Sequence, residues 1–158
     1  MSRISRLTIT LIIAGLLVVA GAGVWAAPKF QGTVPLVPIT GKNPCPGTID
    51  MGTALFTCTG GTEMGVVRVD DPTGKYAPAP EGLAYIGDSF EATITPENEM
   101  IEVCYAYPPE YAAKQAKIYK LNVEASPPVW VEISGATIDN GVICVTSSAG
   151  VFSLIGTQ

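Results

Sequence analysis

The chain has 158 residues, room for one ordinary domain, with 47% apolar residues, only 15% charged residues and a mean hydropathy of +0.35. Nine basic against 14 acidic residues give a net charge of −5, which speaks against a nucleic-acid partner, because phosphate contacts need clustered Lys and Arg. The chain has no histidine, so a Ser-His-Asp triad, a Cys-His pair, a His-ligated haem and a type-1 copper site are excluded.

The apolar excess begins at the N-terminus, where 17 of the first 26 residues are apolar. Arg3 and Arg6 form a basic start and Leu7 to Val24 an uncharged run. Val24, Trp25 and Ala26 place small or aliphatic residues ahead of a cut between Ala26 and Ala27. This is the three-part layout of a secretory signal peptide. The same run to Pro28 is also long enough to cross a bilayer as an uncleaved anchor, with both arginines inside. Either way the remainder is exported, to the extracellular space or the cell surface, and touches membrane only through residues 7–28 if the segment is kept. Cleavage would leave 7 basic against 14 acidic residues.

Residues 27–47 form a lead-in punctuated by Pro28, Pro35, Pro38, Pro44 and Pro46. That spacing suits a polyproline-like spacer or a short edge strand, not a central strand. It is also a segment that a neighbour could borrow.

From 48 to 158 the chain reads as short strands and turns. Thr53 to Thr59 puts Ala54, Phe56 and Cys58 on one face. Gly65 to Asp70 follows, with Val67 and Val69 inward and Arg68 outward. Asp71-Pro72-Thr73-Gly74 has the residues of a type I turn, and Pro78 to Gly82 marks a loop. Ser89 to Thr95 alternates with Phe90, Ala92 and Ile94 inward. Ile101, Val103, Tyr105 and Tyr107 share the next inward face, and Pro108-Pro109 ends that strand. Glu110 to Gln115 is a helical segment of barely two turns. Lys117 to Val123 is strand-like. Val129, Val131 and Ile133 then lie on one face, taken as inward, with Trp130 and Glu132 on the other. Asp139-Asn140-Gly141 between apolar runs signals a tight hairpin. Val142 to Thr146 is its return strand, and Gly150 to Gly156 is the last strand. The expected fold is an all-β, antiparallel, immunoglobulin-like sandwich preceded by the N-terminal apolar helix.

The four cysteines are Cys45, Cys58, Cys104 and Cys144. An even count in an exported chain favours two disulfides. Three connectivities are open; pairing 45 with 58 and 104 with 144 is favoured. The first closes a short loop, and the second ties strands distant in sequence. The cysteines do not come as the close C-x2-C pairs that zinc prefers. No D-x-D-x-D-G loop gathers Asp70, Asp71 and Asp88 for calcium. No metal and no cofactor is expected. Glu97, Glu99 and Glu102 read as turn carboxylates rather than a glycosidase pair. Lys114, Lys117 and Lys120 read as solvated edge charge that discourages strand-to-strand aggregation. Trp130, set opposite the inward valines, is the candidate exposed ligand contact.

The stretch IEVCYAYPPEYAAKQAKIYKLN, followed by VWVEI and IDNGVICVTSSAGVFSLIG, resembles the C-terminal sandwich module of exported bacterial surface proteins. It is more distantly like the sandwich domains of ankyrins and netrin receptors. The resemblance covers Leu83 to Gly156, implies a fold rather than catalytic residues, and implies that Cys104 pairs with Cys144. The expected function is a non-enzymatic structural or interaction module at the cell surface, an assembly subunit being one form of it. Its partner would be a cell-surface protein or a second copy of itself. The alternatives are a carbohydrate or small-ligand module using Trp130, and a membrane-anchored accessory subunit of an envelope complex.

Overall fold

The computed structural model describes residues 43–158. The export segment, the Ala26–Ala27 cut and most of the proline lead-in lie outside the described residues. The described chain is all-β, built from two antiparallel sheets. The first five elements are β1 (Asn43–Pro44), β2 (Gly47–Asp50), β3 (Ala54–Cys58), β4 (Glu63–Val69) and α1 (Pro72–Lys75). Next come β5 (Leu83–Thr95), β6 (Met100–Ala106), α2 (Pro109–Ala113), β7 (Lys117–Asn122) and β8 (Val129–Glu132). The last three are β9 (Thr137–Asp139), β10 (Val142–Ser148) and β11 (Gly150–Thr157). One sheet has six strands in the order β1-β4-β5-β11-β7-β8, and the other has five in the order β2-β3-β6-β10-β9. Ahead of residue 48, Asn43 and Pro44 pair with Met64 and Glu63.

Period-two alternation fills the space between the sheets. Ala54, Phe56 and Cys58 from β3 meet Phe90, Ala92 and Ile94 from β5. Ile101, Val103, Tyr105 and Tyr107 join them, and Phe56 packs edge-on against Phe90 at a centroid distance of 5.6 Å. The hairpin at Asn140-Gly141 forms as expected: both residues have positive φ, 48° and 77°, the type I′ geometry that follows strand twist. Two expectations change. Asp71 to Gly74 is not a simple turn but the start of α1, where the Asp71 carboxylate accepts from the Gly74 N–H at 2.8 Å. In β4, Met64 and Val66 face the core instead of Val67, which is 58% exposed.

Both favoured cysteine pairs are bonded. Cys45–Cys58 ties the β1–β2 connection to β3. Cys104–Cys144 joins directly opposed residues of β6 and β10 on the outer face of the five-stranded sheet, with Cα atoms 4.0 Å apart. The immunoglobulin hallmark disulfide runs between the two sheets; this one staples neighbours within one sheet. Two disulfides in a small domain fit an extracellular location.

The outer face of the six-stranded sheet carries a second, smaller core. Val69, Leu121, Trp130, Val151 and Ile155 are buried there against Ala77, with Tyr76, Ala79, Leu83 and Tyr85 packed around them. The β4–β5 connection supplies the cover. It crosses the face as a strap, which is why β11 is buried on both sides and reads as a nearly continuous apolar run.

Candidate functional site

Trp130 is placed opposite to expectation. The alternation of β8 is correct, but the covered side is the other one. Trp130 is buried, and its indole N–H donates to the Ala77 carbonyl at 3.1 Å. Tyr85 sends its hydroxyl to the same carbonyl, and the two rings meet edge-on at 5.8 Å. Trp130 therefore holds the strap and is not an exposed ligand contact. In the sequence Asp71 to Gly74 has the residues of a turn and Pro78 to Gly82 those of a loop, and neither marks a segment that lies over a sheet face. The available signal is the group of aromatic and apolar residues Tyr76, Ala77 and Ala79 ahead of Leu83.

Val129 and Val131, taken as inward, are 44% and 49% exposed. They do point to the inner side. Val131 pairs with Lys120, which pairs with the core residue Phe152, so all three share one face. Ile138 is likewise on the inner face of β9, opposite buried Ile143, yet is 60% exposed. β8 and β9 are the outermost described strands of their sheets, and the contacts of β1 with β2 and of β7 with β10 put them at the same side of the sandwich. The inner faces are left uncovered there, and an apolar margin of Val129, Val131 and Ile138 opens to solvent.

Beside this margin lies a cleft of about 760 Å³ that runs from Val131 and Ile133 to Ala149 and Gly150. Lys120 lies along it. Its ammonium donates to the Ser148 carbonyl at 3.0 Å and hydroxyl at 2.6 Å, and sits 5.8 Å from the Phe152 ring centroid. Burial lowers its pKa from the ordinary lysine value. Gly150 makes this path possible: its φ is +152°, and a Cβ there would stand 2.6 Å from the Lys120 Cε. Of the three lysines read as solvated edge charge, Lys120 thus turns inward. Lys117 instead pairs with Glu132 at 2.8 Å across the solvent-facing side of β7–β8.

The edge of β8 that no described strand covers has a defined polarity. The Ile133 N–H donates to Ile118 O, which makes that pair hydrogen-bonded. Antiparallel pairs alternate, so Val131 and Val129 spend their backbone groups on β7. Trp130 and Glu132 present theirs outward, away from the sheet.

The acidic residues do not converge. Asp71 caps α1, while Glu91 accepts from Tyr76 at 2.6 Å and Lys75 at 2.9 Å. Those two hydrogen bonds, Tyr76 first, hold the Glu91 carboxyl below its usual range. Asp88 accepts from Arg68 and Thr53. Among the described residues no group of three His, Cys, Asp or Glu could hold a metal ion.

Compared with known proteins, the chain matches no family model, no curated protein and no solved structure.

Proposed function

We propose that the protein is an exported, non-enzymatic β-sandwich module that assembles with a second copy of itself through the β8 margin. The observation that carries this reading is the exposed apolar pair Val129 and Val131 on an edge strand whose outward backbone groups have no partner among the described residues. An edge of that kind is a template for another strand. The strand itself selects the register. Antiparallel pairing centred on Trp130 would oppose Glu132 to Pro128, which has no N–H to give. Pairing centred on Glu132 would oppose two like charges. Pairing centred on Val131 bonds each Trp130 to the partner's Glu132 and brings the two Val131 side chains together. That is an isologous, two-fold contact.

Export is supported by the basic-apolar-small layout of residues 1–26 and by the two disulfides. The immunoglobulin-like class is supported by the two antiparallel layers, with the disulfide plan differing. The resemblance of Leu83–Gly156 to the sandwich module of exported bacterial surface proteins supports a surface role. The test is sedimentation velocity of the oxidised protein over a concentration series. Reversible dimerisation in the wild type, lost in Val131→Lys with the fold intact by circular dichroism, is the expected result. A wild type that stays monomeric throughout, or a Val131→Lys dimer of equal strength, refutes the proposal.

A further inference from the structure

At one end of the sandwich, away from the β8 margin, a cavity of about 400 Å³ opens between β5, β6 and the segment entering α2. It falls within the roughly 300–1,000 Å³ range of small-molecule sites. Its polar groups come from three separate parts of the chain. Thr53 enters from the loop before β3, Asp88 from the irregular part of β5, and Tyr105 from β6. Ile86, Pro108 and Tyr111 supply an apolar and aromatic wall. Tyr111 stands close to Gly87, where a Cβ would lie 4.0 Å from its ring.

Tyr105 is the anomaly. It is 1% exposed, and its hydroxyl is the buried side-chain polar atom with no partner among the described residues. Buried Tyr hydroxyls ordinarily find one, and each exception needs an explanation. The other buried hydroxyls of this core obey the rule: Tyr107 donates to Ala116 O at 2.8 Å, and Ser89 to Ser153 Oγ at 2.8 Å. Beside the orphan, Asp88 Oδ2 accepts from Thr53 at 2.6 Å and Oδ1 from Arg68 at 2.6 Å. A carboxylate has about four lone-pair sites, so acceptor capacity is left over. Thr53 Oγ1, having donated, is also free to accept.

The charge of the cavity narrows the ligand. Arg68 already neutralises Asp88, so a cation would have to displace a 2.6 Å ion pair. An anion would meet the Asp88 carboxylate. The remaining set is a neutral one: acceptors at Asp88 and Thr53, a donor at Tyr105, and an aromatic wall at Tyr111. Groups that donate and accept together, next to an apolar ring face, are the vicinal hydroxyls of a sugar. We infer that this cavity is a binding site for a neutral monosaccharide unit, with Tyr105 as the donor at its floor, Asp88 and Thr53 as acceptors, and Tyr111 as the stacking ring. The Tyr105 hydroxyl has almost no accessible area, so a sugar reaches it only when the wall beside it shifts; partly exposed Tyr111, on a helix of five residues, is the wall residue assigned to that movement.

The test is saturation-transfer NMR on the full, oxidised chain. The probes are methyl glucoside, methyl galactoside, methyl mannoside and N-acetylglucosamine, with glucuronate and glucosamine as charged counterparts. Transfer to at least one neutral sugar is expected, with affinity falling roughly ten-fold in Tyr105→Phe, the worth of one buried hydrogen bond. Tyr105→Phe removes a partnerless hydroxyl, so its melting temperature is expected to hold or rise. That separates lost binding from lost folding. Tyr111→Ala is expected to lose the transfer as well. No transfer from any neutral sugar, equal transfer in Tyr105→Phe, or stronger binding of a charged counterpart overturns the inference. Val131→Lys, which acts at the other margin, is expected to bind sugar as the wild type does, so this result and the dimerisation result are independent.

Discussion

Trp130 and Tyr85 share one acceptor, and that arrangement predicts a specific failure of additivity. Both donate to the carbonyl of Ala77, whose residue is 6% exposed, and no other donor reaches that oxygen among the described residues. Trp130→Phe removes one donor and part of a buried ring. It should cost about 1–2 kcal/mol, since Tyr85 still satisfies the carbonyl. Tyr85→Phe removes only a hydroxyl and should cost about 1 kcal/mol or less, since Trp130 still donates. The double variant leaves a buried carbonyl with no partner, which adds a desolvation penalty of about 1–3 kcal/mol beyond the sum. Phenyl rings are kept at both positions, so the edge-on contact is disturbed little. Urea unfolding followed by far-ultraviolet circular dichroism, with disulfides intact, reads all four corners of the cycle. A coupling within about 0.5 kcal/mol of zero would refute the shared acceptor and, with it, the strap as the cover of the outer face.

The two disulfides should differ in worth. The chain-entropy relation gives about 3 kcal/mol for Cys45–Cys58 and about 4 kcal/mol for Cys104–Cys144, from separations of 13 and 40 residues. Alanine pairs at each, compared by urea denaturation, are expected to rank in that order. Intact mass of the exported protein should lack residues 1–26 and rise by about 4 Da on reduction of two disulfides. A mass that retains them would establish the anchor instead. Glu91 should make the domain acid-sensitive. Its folded pKa lies below the ordinary glutamate value of 4.5, so its contribution is fully present above that value and is lost as pH falls through the folded pKa. Glu91→Gln, followed by thermal melts from pH 6 to pH 2, is expected to flatten that part of the profile. An unchanged profile would show that the Tyr76 and Lys75 contacts carry no stability.

Most of the strand pattern was legible because alternation is local. Phe90, Ala92 and Ile94, and Ile101 to Tyr107, declare their inward face by spacing alone. The hairpin at Asn140-Gly141 is legible for the same reason, since its two positive φ values demand those residues. The side of a strand that ends up covered is not local. β8 shows this: Val129 and Val131 lie on one face and Trp130 with Glu132 on the other, and only the path of the 71–82 segment, some fifty residues earlier, decides that Trp130 is buried and Val131 is not. β4 is a similar case, because Val66, Val67 and Val69 offer no unique phase. The end cavity was equally hidden. Thr53, Asp88 and Tyr105 lie far apart in sequence, and Tyr105 read as plain core, which its ring is.

The most direct test of the self-assembling edge is a symmetric cross-link. Pairing centred on Val131 sets the two copies of that residue opposite each other as a non-hydrogen-bonded pair, with Cα atoms about 4.5 Å apart, close enough for a disulfide. Val131→Cys is expected to form a covalent dimer under mild oxidation while both native disulfides remain in the mass map. Val129→Cys, which would face Ile133 of the second copy, is expected to stay monomeric. No dimer from Val131→Cys, or equal dimer from both variants, would contradict the assembly proposed for this protein.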